Sequence, residues 1–157
     1  MRIKFVLLFL FLSLGIFAQN GKKTVYESLE SLSRMDYVSY FEVTREMFQM
    51  LSEVKEANPE YKDYVSKLAT LKMVQSQDQS LYAQFMVNTN LKSWSRLITK
   101  KEPDSRLSFY KREKEGFVNE FLLVSDEMII IITGNINLKS IGEFEQIMEV
   151  AGSAFDM

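Results

Sequence analysis

Cysteine and histidine are both missing from the 157 residues, and the two absences remove much chemistry. Without thiolate or imidazole, the usual ligand sets for zinc and other transition metals cannot be assembled. The common nucleophile–base pairs lose their base for the same reason. No disulfide can staple the chain, and no thiol is present at a cleavage site to carry a lipid. Internal repeats and low-complexity segments are absent too. What remains must do its work with packing, charge and shape.

The first eighteen residues separate themselves from the rest. Arg2 and Lys4 make a basic start, Phe5 to Phe17 is an apolar run broken only by Ser13 and Gly15, and Ala18 precedes the polar Gln19-Asn20-Gly21-Lys22-Lys23. A basic lead, a short apolar stretch and a small residue at the cut predict a secretory signal peptide cleaved between Ala18 and Gln19. The run falls short of the roughly 20 apolar residues that span a bilayer. The expectation is therefore an exported protein, periplasmic or at the cell surface, with no membrane span or lipid anchor in the mature chain. Loss of Arg2 and Lys4 makes the formal charge more negative than the −2 of the whole sequence.

The remainder suits one domain, large enough to bury most of its unfolded surface without disulfides. The expected division is a signal peptide over 1–18, a polar lead-in and short helix over 19–36, one α+β domain over 37–152, and a tail over 153–157. Thr24 and Glu27 have capping-box spacing before a helix reaching about Ser33. Tyr37 to Val43 reads as a strand. Thr44 caps a helix that runs toward Ala57, and Asn58-Pro59 opens another that carries Tyr61, Tyr64, Val65 and Leu68. Leu71 to Gln75 shortens the period to two. Asp78 is placed to cap a helix bearing Leu81, Tyr82, Phe85 and Met86, and Leu91, Trp94, Leu97 and Ile98 predict a kinked or second helix. A charged loop follows from Lys100 to Asp104.

The last third reads as a meander: Leu107 to Arg112, a Lys114-Glu115-Gly116 turn, Phe117 to Val124, and then Met128-Ile129-Ile130-Ile131-Ile132. Four isoleucines in a row want apolar neighbours on both faces, which predicts the central strand of a sheet. Gly134 gives backbone freedom at its end, and Asn137 is placed to cap a final helix through Ile147 and Met148. The fold class expected is α+β: two layers, a largely antiparallel sheet with a C-terminal three-strand meander, and helices mainly on one face.

The order of Val38-Ser39-Tyr40-Phe41-Glu42-Val43-Thr44-Arg45-Glu46-Met47-Phe48, Phe109-Tyr110-Lys111-Arg112, Phe121-Leu122-Leu123-Val124 and Ile132-Thr133-Gly134-Asn135-Ile136-Asn137-Leu138 resembles the family known as domain of unknown function 4252. These motifs span nearly the whole mature chain, and all consist of packing and turn residues. The resemblance implies a small exported protein of a Gram-negative bacterium, with some family members encoded beside extracytoplasmic-function sigma factors. It implies no activity, cofactor or functional residue.

Four groups compete as sites. Met47, Met50, Met73 and Met86 offer soft thioethers that suit Cu(I), although methionine more often fills core gaps. Arg96, Lys100, Lys101, Arg106, Lys111, Arg112 and Lys114 form a basic region around Phe109 and Tyr110. Interleaved acids and an acidic chain argue for a solvated strand edge protected by lysines rather than a nucleic-acid groove. Glu42, Glu46, Glu120 and Asp126 show no spacing that selects an acid–base pair. Asn135-Ile136-Asn137 is explained as a turn and a cap. The sequence thus predicts no catalytic, cofactor or metal residue and no enzyme. It predicts an interaction or regulatory module with an envelope protein as partner. The alternative is a small-ligand or lipid binder with Tyr61, Tyr64, Tyr82, Phe85 and Trp94 around a pocket between sheet and helices.

Overall fold

The four isoleucines are shared evenly between two cores. In the computed structural model, which describes residues 21–53, 59–77, 80–103, 105–114, 118–135, 145, 146 and 149, Ile130 and Ile132 belong to one buried cluster and Ile129 and Ile131 to another. Their strand, β6 (Met128–Gly134), is third in a six-stranded antiparallel sheet of order β1-β2-β6-β5-β4-β3. The others are β1 (Ser39–Val43), β2 (Leu68–Gln75), β3 (Ser95–Glu102), β4 (Ser105–Lys114) and β5 (Val118–Ser125). The meander expected from the sequence is present, and β3 extends it by one strand.

Both faces of the sheet carry helices, which corrects the expectation of two layers with helices mainly on one face. α1 (Val25–Ser33) and α4 (Leu81–Asn88) supply Val25, Leu29, Leu32, Leu81 and Phe85 to the cluster that holds Ile129, Ile131, Leu122, Val124 and Tyr110. α2 (Arg45–Ser52) and α3 (Pro59–Lys67) supply Phe48, Leu51 and Val65 to the cluster with Ile130, Ile132, Phe109, Phe121 and Leu123. The physical reason lies in β5 and β6: successive residues point to opposite faces, and both sets are apolar. Burying each such side chain contributes about 1.5–3 kcal/mol, so neither face is left to water.

Local signals set several boundaries. Thr24 accepts a hydrogen bond from the Glu27 amide at 3.2 Å, and Thr44 one from Met47 at 3.4 Å, as the caps predicted. Pro59 opens α3. α2 ends at Ser52, sooner than the expected Ala57, and Leu68 starts β2 rather than closing a helix. α4 begins after Ser80, whose side chain makes no capping bond; its first amide, on Leu81, donates to the Asp126 carbonyl at 2.9 Å. Lys23, in the polar lead-in, is tied down: its amide donates to the Asn88 carbonyl and its carbonyl accepts from the Asn90 amide, both at 2.8 Å.

The largest correction is β3. Leu91, Trp94, Leu97 and Ile98 do not share a helix: Trp94 ends a turn and is buried, and Leu97 and Ile98 lie in an exposed edge strand. Lys100 to Glu102, expected in a loop, belong to the same strand.

Gly134 is needed for space, not for freedom of φ. A Cβ there would stand 2.4 Å from the Lys67 carbonyl oxygen, and the following amide, on Asn135, donates to that same oxygen at 2.9 Å. The signal peptide with its cut at Ala18 and Gln19, the Asn58, Asp78 and Asn137 caps, the Lys114-Glu115-Gly116 turn beyond Lys114, and the 153–157 tail lie outside the described residues. Of the final helix, Glu145, Gln146 and Glu149 are described and helical. Among the described residues, no helix is long and apolar enough to cross a membrane.

Candidate functional site

Three polar features stand out from this frame: a buried carboxylate, a cleft at one end of the sheet, and an open strand edge.

The carboxylate is Glu120, which breaks the apolar pattern of β5 and is 1% exposed. Antiparallel register puts it opposite Arg112 on β4 and Thr133 on β6, and Thr133 in turn opposite Thr70 on β2. A polar row thus crosses four strands on the face covered by α1 and α4. Arg112 answers Glu120 with two donors, Nε at 3.1 Å and Nη2 at 3.0 Å, the paired-fork geometry that makes such contacts strong. Tyr26, reaching down from α1, donates its hydroxyl to Glu120 Oε2. The Arg112 guanidinium lies over the Trp94 ring at 4.5 Å and also donates to Ser93 Oγ at 3.3 Å. Thr70 and Thr133 share a hydrogen bond of 2.7 Å. Burial first, then the Glu120 hydrogen bond and charge, hold the Tyr26 phenol well above its ordinary value, with Arg112 opposing. Every oxygen of Glu120 is answered, so the row acts as a fastener between α1 and the sheet rather than as a poised acid.

The cleft lies at the opposite end of β5. Asp126 accepts from the Arg106 amide at 2.8 Å, from Arg106 Nη2 at 2.9 Å and from Ser80 Oγ at 2.8 Å. Arg106 in turn lies over the Tyr82 ring at 4.7 Å. Burial alone would raise the Asp126 pKa; the Ser80 and Arg106 hydrogen bonds and the Arg106 charge outweigh it and hold the group below its ordinary value. Beside them a cavity of about 530 Å³ opens among Ser76, Gln77, Lys101, Glu102, Pro103 and Ser105.

The four carboxylates considered as acid–base candidates are not brought together. Glu42 accepts from Tyr40 on the β1 edge at 2.9 Å, where burial and then Glu42 push the Tyr40 phenol up to about 12. Glu46 is exposed in the first turn of α2. Glu120 and Asp126 stand about 20 Å apart along β5 at the usual strand rise, well beyond the roughly 5–9.5 Å of a glycosidase pair. The methionines are likewise dispersed. Met47 and Met73 pack on one core, Met86 on the other, and Met50 is 68% exposed.

Of the pocket aromatics, Phe85 and Trp94 are buried in one core and Tyr82 packs against it, so these three fill space rather than line a cavity. The side chains of Tyr61 and Tyr64, and the residues Ile136 and Asn137, lie outside what is described. Sequence reasoning named Glu120 and Arg112 separately and missed their union. The signal was available: each lies four residues from Gly116, in the turn expected from the sequence between their strands.

The basic region divides. Arg106 and Arg112 are engaged with acids, and Lys111 contacts Glu113 at 3.2 Å. Arg96, Lys100 and Lys101 stand on β3, where all eight residues are exposed: the lysine-bearing solvated edge expected of the basic region is present, on a strand expected to be helix and loop.

A family model described as a domain of unknown function (DUF4252) matches residues 26–144. No curated protein and no solved structure matches the chain.

Proposed function

We propose, for a chain that belongs to the DUF4252 family, a role in binding rather than catalysis: an exported interaction or regulatory module of the cell envelope. The observation that carries this reading is β3, an edge strand exposed along its whole length, with Leu97 and Ile98 46% and 37% exposed. Open strand edges are normally blunted or covered because they recruit other chains. An edge that keeps apolar side chains in view is suited to recognition. The absence of histidine and cysteine from the sequence and the full pairing of Glu120 support the non-enzymatic part.

Export is supported by the first eighteen residues. Fractionating expressing cells and sequencing the mature amino terminus tests it, with Gln19 expected as the first residue. Affinity capture from an envelope extract tests the binding role. Recovery of no protein above a control chain, at native expression levels, would overturn it.

A further inference from the structure

We infer that β3 docks an extended, acidic segment of a partner protein, which joins the sheet as a further strand; this rests on the binding reading above and specifies its site. β3 ends the sheet order, so among the described residues no strand lies on its outer side. The other edge offers less: β1 has five residues, and its Val43 is fully buried. A bulge falls between Arg96 and Ile98, but from Ile98 to Glu102 the pairing with β4 advances residue for residue, from Phe109 to Ser105. That regular run can template another strand through its free backbone groups.

Charge selects the partner. β3 carries Arg96, Lys100 and Lys101 against Glu102 alone, and Glu102 is held by Lys100 at 2.8 Å. Among the described residues, no carboxylate pairs with Arg96 or Lys101. Arg96 lies opposite Tyr110 and Lys101 opposite Arg106, so both are presented on the same face of the sheet. Basic side chains and a bulge normally deny an edge to passing strands. Here they act as a filter that carboxylates satisfy. A second copy of this chain fails it, because its own β3 brings three more cations against the first three.

Two dye-labelled, capped peptides test the site, one alternating Glu and Val and the other alternating Lys and Val. Each is titrated by anisotropy into the protein as purified from the expressing cell, with amide hydrogen exchange followed on the same samples. The Glu peptide is expected to bind about tenfold tighter or better than the Lys peptide. It should slow exchange within β3 and weaken as salt rises. Combining Arg96→Glu with Lys101→Glu, both at exposed positions, should reverse the preference without moving the melting temperature. Equal affinity for the two peptides, no binding of either, binding that leaves β3 exchange unchanged, or a dimer closed through β3 in light scattering would each overturn the inference. An envelope protein captured equally by the parent and the doubly reversed chain would also overturn it while leaving the binding reading intact. Capture of nothing by either chain would overturn the binding reading, and with it the inference that rests on it.

Discussion

The face of the sheet under α2 and α3 and the face under α1 and α4 solve the same problem differently. Beneath α2 and α3 the described residues that are buried are apolar, from Val43 and Phe48 to Ile132. Beneath α1 and α4, Ser28, Thr89, Ser108 and Glu120 are buried beside Leu122, Ile129 and Ile131. Each of these polar groups has its partner: Thr89 donates to Ser28 at 2.6 Å, Ser108 meets the Tyr82 hydroxyl at 3.0 Å, and Glu120 holds Arg112 and Tyr26. An apolar interface accepts any close fit, whereas a paired carboxylate accepts one register and one helix position. The polar face is thus the one that defines where α1 sits, at some expense in raw stability.

The contrast can be broken first with a charge. Ile130→Asp enters the apolar face opposite Met73 and Leu123. It removes a buried side chain and strands a carboxylate, a loss comparable to the roughly 5–15 kcal/mol that holds such a domain together. Circular dichroism should show an unfolded chain. Ile131→Asp on the other face should unfold it less completely, because Lys72 stands opposite that position. Equal melting curves for the two would show that the faces do not differ.

Next in size is Arg112→Met, which leaves Glu120 buried and without its cation and should cost about 3–5 kcal/mol in urea unfolding. Adding Glu120→Leu should restore most of that loss, since a packed apolar pair often equals a buried ion pair. A double variant no better than the single would mean that the row contributes net stability. Tyr26→Phe removes one donor to a charged acceptor and should cost about 1.5–3 kcal/mol. Faster hydrogen exchange should appear in α1 before the strands.

The smallest effect concerns Asp126. Its folded-state pKa is depressed below the unfolded value, so its contribution is complete above the unfolded pKa and is lost as pH falls through the folded one. Asp126→Asn should lower the melting temperature near neutrality, and the difference from the parent should shrink in acid below about pH 4. A difference independent of pH would place the effect in packing.

How much of this was legible in the sequence depended on burial. The isoleucine run of β6, the strands on either side of Gly116, and the Thr24 and Thr44 caps were readable because each leaves a local signature: period, turn or hydroxyl. β3 was not readable for the opposite reason. Exposed along its whole length, it has no buried face to impose a period of two, and the accidental spacing of Leu91, Trp94, Leu97 and Ile98 imitates a helix. Helices on both faces were foreshadowed by the doubly apolar β5 and β6. The Glu120 row escaped because it depends on register among strands distant in sequence. The open edge, which carries the proposed function, was visible only as a basic region.

The position of β6 has a consequence in time. Among the described residues it is the last strand to be synthesised, yet it lies between β2 and β5, and β2 finds it only after β3, β4 and β5 have been made. Closure across so long a stretch of chain is slow compared with hairpin formation. Until it happens, the β1–β2 pair and the β3–β4–β5 meander are separate ribbons, each with an apolar edge awaiting the same strand, and so open to wrong partners. A chain arrested before Met128 holds both ribbons and lacks the seam.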